Sequence, residues 1–265
     1  MLATVIVDTY SAGKAEFLAD ALEEVASAKD NYGWSSSGVY CFWDPSTREI
    51  LYIGLAVDLA TRFRQHNDLV DCPPTCCKRS KIEDFFKTNA LLGYSVLVQS
   101  TLSQAACSRW EKANPEKLES LRKRYELVDR EEAKRLLNAD VDQEIRTYEG
   151  ALIEAFEVCT GAIPQWNKIN GANIRFTEEQ LRTATYLLKS FIAGHDWMDP
   201  LAAHVRLRDL FANAMFQGYE ELLHGVRLLV LGGCPFKEAI KKTPDPLDYF
   251  EKMRSEGYLD RQVKL

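Results

Sequence analysis

The sequence contains no apolar run long enough to cross a bilayer, so no transmembrane helix is expected and a membrane is not an expected partner. Its opening, Met1-Leu2-Ala3-Thr4-Val5-Ile6-Val7-Asp8, lacks the basic start and long apolar stretch of a signal peptide and reads as a short strand. A regular cysteine framework is also missing: the seven cysteines are odd in number and unevenly spaced. That points away from a disulfide-stapled secreted protein and towards a reducing cytoplasm. There is no excess of positive charge either. The formal net charge of -6 argues against a protein that coats nucleic acid by bulk charge, but it leaves room for a local basic groove. Repeats and low-complexity tracts are absent. What remains, over 265 residues, is an ordinary globular composition, enough for one large domain or two small ones.

Three regions can be read along the chain. Residues 1–37 are expected to be an N-terminal extension, a strand followed by a helix from roughly Ala15 to Ala28 and a Gly/Ser-containing loop from Asn31 to Ser37. Residues 38–176 carry the chemistry, with an insertion around 72–140. Val39–Trp43 and Ile50–Ile53 are rich in β-branched and aromatic residues, and Asp44-Pro45-Ser46-Thr47-Arg48 between them is a turn, so the pair reads as a hairpin. A helix from Asp58 to about His66, a third strand at Ser95–Gln99, exposed charged helices over Pro115–Asn138 and a helix over about Asp142–Val158 follow. Residues 177–265 read as mainly helical, opened by the capping-box sequence Thr177-Glu178-Glu179-Gln180. The expected fold class is α+β: a central three-stranded antiparallel sheet flanked by helices, plus a mainly helical C-terminal region.

Several residues in this frame have chemical potential. A hairpin turn centred on Ser46 pairs Tyr40 with Tyr52 and Gly38 with Gly54, and directly opposite residues share a face. Either phenol could then handle a proton near a metal-bound water; simple aromatic packing is the alternative. Gly54 would let the chain turn out of the strand, and Asp58 would cap the next helix. On that helix Leu59 and Phe63 face the core, while Arg62 and His66 share a neighbouring face. Arg62 could fork to phosphate oxygens or pair with Asp58; His66 could bond a phosphate, orient a water, or act as a helix-end cation. Glu149 lies on the apolar stripe of its helix with Ile153 and Phe156, a costly place for a carboxylate unless it is paired or bound to metal. Mg²⁺ is often held by one or two carboxylates plus waters and phosphates; a salt bridge to Arg62 or Arg146 is the alternative. Asn167 could fix backbone near the site, bond a tyrosine or a phosphate, or be an ordinary loop residue.

Taken together these pieces resemble the GIY-YIG nuclease family. Gly38-Val39-Tyr40 stands at the first triplet and Tyr52-Ile53-Gly54 at the second. Leu59 to His66 looks like the helix that follows, and Glu149 with Leu152-Ile153, Pro164 and Asn167 resembles the closing segment. The resemblance covers about half the chain. It implies a metal-dependent endonuclease on DNA that leaves 5′-phosphate and 3′-hydroxyl ends. Glu149 would bind one Mg²⁺ or Mn²⁺, Arg62 would hold the phosphate, and Tyr40 would be the candidate general base, with Tyr52 and His66 supporting it. Position 55 is Leu where the family often has Lys or Ser, and the span from Arg62 to Glu149 is longer than usual. RNA stands as a second nucleic acid, and a homodimer or a larger defence or repair assembly as partners, since one active site cuts one strand. A catalytically inactive nucleic-acid-binding or interaction module on the same fold is the alternative function.

Basic residues outnumber acidic ones between Thr61 and Arg135. Arg64, Lys78, Arg79 and Lys81 are candidates to track a phosphate backbone, with Asn167 beside them; solvated helix faces are the competing reading for the stretch from Arg122. Cys72, Cys76 and Cys77 lie near His66, but their spacing fits no common zinc pattern.

Overall fold

The computed structural model describes residues 2–26, 37–73, 77–99, 115–125, 144–168, 175–192, 201–231, 233–245, 247–261, 263 and 265. It is an α+β structure with a four-stranded antiparallel sheet flanked by helices and a mainly helical C-terminal region. The elements are β1 (Leu2–Tyr10), α1 (Ala15–Ala26), β2 (Gly38–Asp44), β3 (Glu49–Ala56), α2 (Leu59–His66), α3 (Arg79–Phe86), β4 (Leu92–Gln99), α4 (Pro115–Tyr125), α5 (Glu144–Thr160) and α6 (Glu178–Ile192). The C-terminal helices are α7 (Leu207–Ala212), α8 (Ala214–Leu231), α9 (Phe236–Lys242) and α10 (Tyr249–Ser255). Only Pro115–Tyr125 of the charged 115–138 stretch lies within the described residues.

The sheet has one strand more than the sequence suggests. Its order is β1-β4-β2-β3, with every neighbouring pair antiparallel. The N-terminal strand is therefore part of the sheet rather than an extension, because its apolar residues pair with β4 from Leu2↔Gln99 to Tyr10↔Leu92. Such pairing is invisible to local periodicity. The 201–203 segment continues the sheet beyond β1, with Val5 and Leu201 joined at 2.9 Å and Ala203 and Val5 at 2.8 Å.

Each face of the sheet buries its own core. On one face Tyr40, Phe42, Tyr94 and Val96 meet Leu18, Leu22 and Val25 of α1, Phe63 of α2, and Leu210, Leu223 and Met253 of the C-terminal helices. The α1 positions repeat at helical spacing, and each buried aliphatic side chain there contributes about 1.5–3 kcal/mol. On the other face Val39, Cys41, Trp43 and Ile53 pack against Leu152 and Ile153 of α5 and Leu187 and Phe191 of α6. Ser95 ties α6 down by accepting from the Trp43 indole at 2.9 Å and donating to the Phe191 carbonyl at 2.6 Å. The predicted capping box opens α6: Thr177 Oγ1 accepts from Gln180 N, and Gln180 Oε1 accepts from Thr177 N.

Among the described residues the 201–261 part forms no separate core. Its helices share the first face with the β2–β3 hairpin, and a buried polar cluster joins α8 to β1. In that cluster Glu220 accepts from Arg227 at 2.8 Å, from the His204 backbone N–H at 2.8 Å and from the Tyr258 hydroxyl at 2.9 Å. Thr4 Oγ1 and His224 Nδ1 are 2.8 Å apart.

The hairpin register departs from the symmetric expectation. Tyr40 is opposite Gly54, Phe42 opposite Tyr52, and Gly38 opposite Ala56. Two causes combine. The turn is held by Asp44, whose carboxylate accepts from Ser46 N at 2.8 Å and Ser46 Oγ at 2.7 Å, and it closes on Arg48 at φ 60. Further along, the register shifts between Phe42 and Trp43, because Leu51 is an extra residue in β3. A bulge of this kind lets two consecutive residues share one face, and Leu51 and Tyr52 both lie on the Tyr40 side while Ile50 and Ile53 lie on the other. Without the bulge, the pairing at the turn end (Trp43 with Ile50) would carry Tyr52 to the far face. The expected outcome, two tyrosines on one face, is present, but as diagonal neighbours with ring centroids 5.8 Å apart.

Candidate active site

β2, β3 and the first turns of α2 bring Tyr40, Tyr52, Arg62 and His66 together. Asp58 caps α2 by accepting from Thr61 N at 2.8 Å and Thr61 Oγ1 at 2.9 Å. Asp58 is thus occupied at the cap, and Arg62 turns instead to the sheet. Leu59, Ala60 and Phe63 bury the inner face of α2, which fixes the direction in which Arg62 and His66 project.

His66 is fully buried and neutral. Its Nδ1 accepts the backbone N–H of Lys78 at 2.8 Å, so the ring proton sits on Nε2. Nε2 lies 2.7 Å from the Tyr40 hydroxyl and donates to it. Burial first, then the charges of Arg62 and Lys78, push the His66 pKa down to about 3. The helix-end cation reading is therefore incorrect: desolvation and two neighbouring cations remove the charge.

Tyr40 is also wholly buried, and burial holds its pKa well above the ordinary phenol value. Its oxygen accepts from His66 and from Arg62 Nε at 3.3 Å, which uses both lone pairs. The Tyr40 proton is left to point at Tyr52, which takes a hydrogen bond from Tyr40 and another from Arg62. Tyr52 is only half-buried. Its pKa is raised by burial, against the lowering effect of the Tyr40 bond and the Arg62 charge. Arg62 also donates to Gln65 Oε1 at 2.9 Å. The sequence signal for Gln65 is its place one helical turn after Arg62.

Gly54 has a different job from the one the sequence suggests. It lies inside β3 and does not end it. A Cβ there would sit 2.8 Å from each tyrosine hydroxyl and 2.7 Å from the Tyr52 ring. The missing side chain is the space in which the two phenols meet.

Glu149 projects from α5 towards β3 and is half-buried. Burial raises its pKa, partly offset by a hydrogen bond from the Leu55 backbone and by the charge of Arg146. Its negative charge is felt at Tyr52. Among the described residues Glu149 forms no ion pair, and Arg146 acts on it only through its charge at longer range. No group of three or more His, Cys, Asp or Glu suited to a metal occurs among the described residues. A lone carboxylate of this kind fits a hard divalent cation whose other ligands are waters and phosphate oxygens. Cys72 and Cys77 are not in a disulfide, and both His66 nitrogens are engaged, so the zinc alternative finds no ligand in His66. Cys76 lies outside the described residues.

The remaining sequence candidates divide. Lys78 reaches the site, with Nζ 4.5 Å from the centroid of the Tyr52 ring. Arg64 points back to Asp20 of α1 at 3.0 Å, and Arg79 is paired with Asp68 and Glu83. Lys81 is exposed one turn after Lys78. Asn167 does not reach a tyrosine. Its side-chain amide is spent on Ile53, accepting from Ile53 N at 3.0 Å and donating to Ile53 O at 2.9 Å. β3 is an edge strand, and this amide imitates a neighbouring strand where the ladder ends. The Trp166 backbone N–H adds a bond to Leu51 O, the carbonyl at the bulge, at 2.8 Å.

Comparison of the chain with protein-family models, with curated proteins and with solved structures finds no match.

Proposed function

We propose that the chain is a GIY-YIG-type endonuclease that hydrolyses phosphodiester bonds in DNA with one Mg²⁺ or Mn²⁺. The observation that carries this reading is the convergence of Tyr40, Tyr52, Arg62 and His66 in one hydrogen-bonded cluster beside an unpaired Glu149. Ring packing alone would bring Tyr40, Tyr52 and His66 together, but here their polar atoms also meet, with the Arg62 guanidinium among them.

The proposed roles follow exposure. Tyr40 and His66 are too deeply buried to touch a substrate, so they are positioning groups. Tyr52 is the phenol that reaches solvent; once it has released its own proton to solvent, its phenolate is the group placed to take a proton from an attacking water. Its phenolate would be stabilised by the donors already aimed at its oxygen, Tyr40 O–H and Arg62 N–H. Arg62, always cationic, also holds a phosphate oxygen as charge develops on it. Glu149 would hold the cation, which when bound supplies Lewis acidity at the phosphate and at the leaving oxygen. The products would be 5′-phosphate and 3′-hydroxyl ends.

The test is plasmid nicking with Mg²⁺ or Mn²⁺. Glu149→Ala and Arg62→Ala are each expected to lower the rate by at least ~10²-fold, the scale on which removal of a charge-stabilising group is felt. Cutting that survives both substitutions would remove this site from consideration.

A further inference from the structure

Most basic side chains near the site are already neutralised: Arg64 by Asp20, Arg79 by Asp68 and Glu83, Lys87 by Asp84. Three lysines are not. Among the described residues Lys78, Lys81 and Lys168 have no carboxylate partner. They come from two separate segments, yet the fold gathers them. Lys78 caps α3, Lys81 lies three residues on, and Phe85 four beyond that, so all three share one stripe of the helix. Phe85 meets the Trp166 ring at 6.0 Å, which lays the 164–168 segment along that stripe. Asn167, pinned to both polar atoms of the Ile53 backbone, then fixes where Lys168 begins. Lys78 itself rests on the Tyr52 ring.

The electrostatics agree with this placement. Burial, then Lys168, Arg62 and Lys81 in that order of positive charges, lower the Lys78 pKa. Three cations thus crowd one half-buried ammonium on a chain whose net charge is -6. Such crowding is unfavourable in the free protein and becomes favourable when a polyanion enters.

We infer that Lys78, Lys81 and Lys168 form a second phosphate seat beside Tyr52, which holds the phosphodiester next to the one being cut and so selects a strand over a single phosphate ester. The inference rests on the nuclease reading for the identity of the anion as nucleic acid. Lys168, which no sequence pattern marks, is the new member; Lys78 serves twice, through its backbone to His66 and through its ammonium to the seat.

The experiment is fluorescence anisotropy of a labelled 20-base-pair duplex with the full chain carrying Glu149→Gln, across a series of salt concentrations. Lys81→Ala and Lys168→Ala are each expected to weaken binding similarly on unrelated sequences and to reduce the steepness of log K against log salt by about 0.9, the value for one lost contact to a B-DNA phosphate. Lys78→Met, which keeps an apolar stem on Tyr52, should do the same. Lys237→Ala, on the distant helix α9, should leave the slope unchanged. Both alanine positions near the site are exposed, and melting curves check that the variants fold. Slopes and affinities equal to the Glu149→Gln parent in all three lysine variants would overturn the seat. The two readings fail separately. Wild-type cutting that depends on Glu149, with unaltered lysine slopes, removes only the seat. Lysine-dependent binding by a chain that never cuts removes only the nuclease.

Discussion

Gly54→Ala is the most economical perturbation of the proposed site, because it adds one methyl group and no chemistry. The new carbon would lie 2.7 Å from the Tyr52 ring and 2.8 Å from both phenol oxygens. Comfortable carbon contacts are about 3.5–4.0 Å, so three contacts at once fall short by roughly an ångström. Tyr40 has nowhere to go: its oxygen is held by His66 at 2.7 Å, and its ring is enclosed by Phe42 and Tyr94 at 6.0 Å each. Tyr52 is half-buried on an edge strand and is the side chain that must swing out. Overpacking of this kind costs about 1–3 kcal/mol. In a chain of this size that corresponds to about 2–4 °C in Tm for each kcal/mol. The functional loss should be larger than the stability loss, because displacing a reacting group by an ångström costs on the order of 10²-fold in rate. The assay pairs thermal melting with nicking of supercoiled plasmid, and Tyr52→Phe serves as the reference for loss of the phenol alone. A Gly54→Ala protein that melts and nicks like the parent would refute the convergence of the two hydroxyls over residue 54, and with it the proton path from Tyr40 to Tyr52.

Two further outcomes are expected. His66 and His224 are both held neutral, each with its pKa lowered to about 3 by burial and neighbouring cations, Arg62 and Lys78 for the first and Arg227 for the second. The unfolded chain protonates them below about pH 6.5 while the folded chain does not, so the stability present above that pH is lost as pH falls towards 3. The loss is about 1.4 kcal/mol per pH unit for each histidine, and a Tm that stays level between pH 6.5 and 4.5 in His66→Gln and parent alike would contradict it. Asn167→Ala should strip two hydrogen bonds from the β3 edge, costing about 1–3 kcal/mol and speeding amide exchange at Ile53; unchanged protection at Ile53 would show that the amide does not serve as a substitute strand.

Much of the site could be read from residue types and spacing, and what could not has identifiable causes. Strand-forming residues on either side of an Asp-Pro-Ser turn announce the hairpin, and Asp58 followed by Leu59, Arg62, Phe63 and His66 announces the helix. β1 was legible as a strand but not as a member of the sheet, because its partner β4 lies some ninety residues away. The state of His66 depends on a backbone donor at Lys78, and a main-chain N–H has no signature in sequence. Lys168 carries no mark in the sequence because only a tertiary contact, Phe85 on Trp166, brings it near. Arg64 and Arg79 read as phosphate ligands because their acidic partners, Asp20 and Asp68, cannot be assigned without the fold.

The extra residue at Leu51 gives the hairpin a kind of information that no substitution can erase. With Leu51 present, Tyr52 joins Tyr40 only because the extra position is absorbed in a bulge, since pairing every residue of β3 in turn from Ile50 would set Tyr52 opposite Cys41 on the other side of the sheet. A scan that replaces side chains one at a time would therefore pass over Leu51 as an ordinary buried leucine. Removing the residue altogether would leave a regular strand in which Ile50, Tyr52 and Ile53 alternate, so Tyr52 would stay opposite Phe42 on the Arg62 side, whereas keeping the residue and ironing out the bulge would hand Tyr52 to the α5–α6 layer. In this hairpin, spacing is as much a part of the chemistry as the phenols themselves.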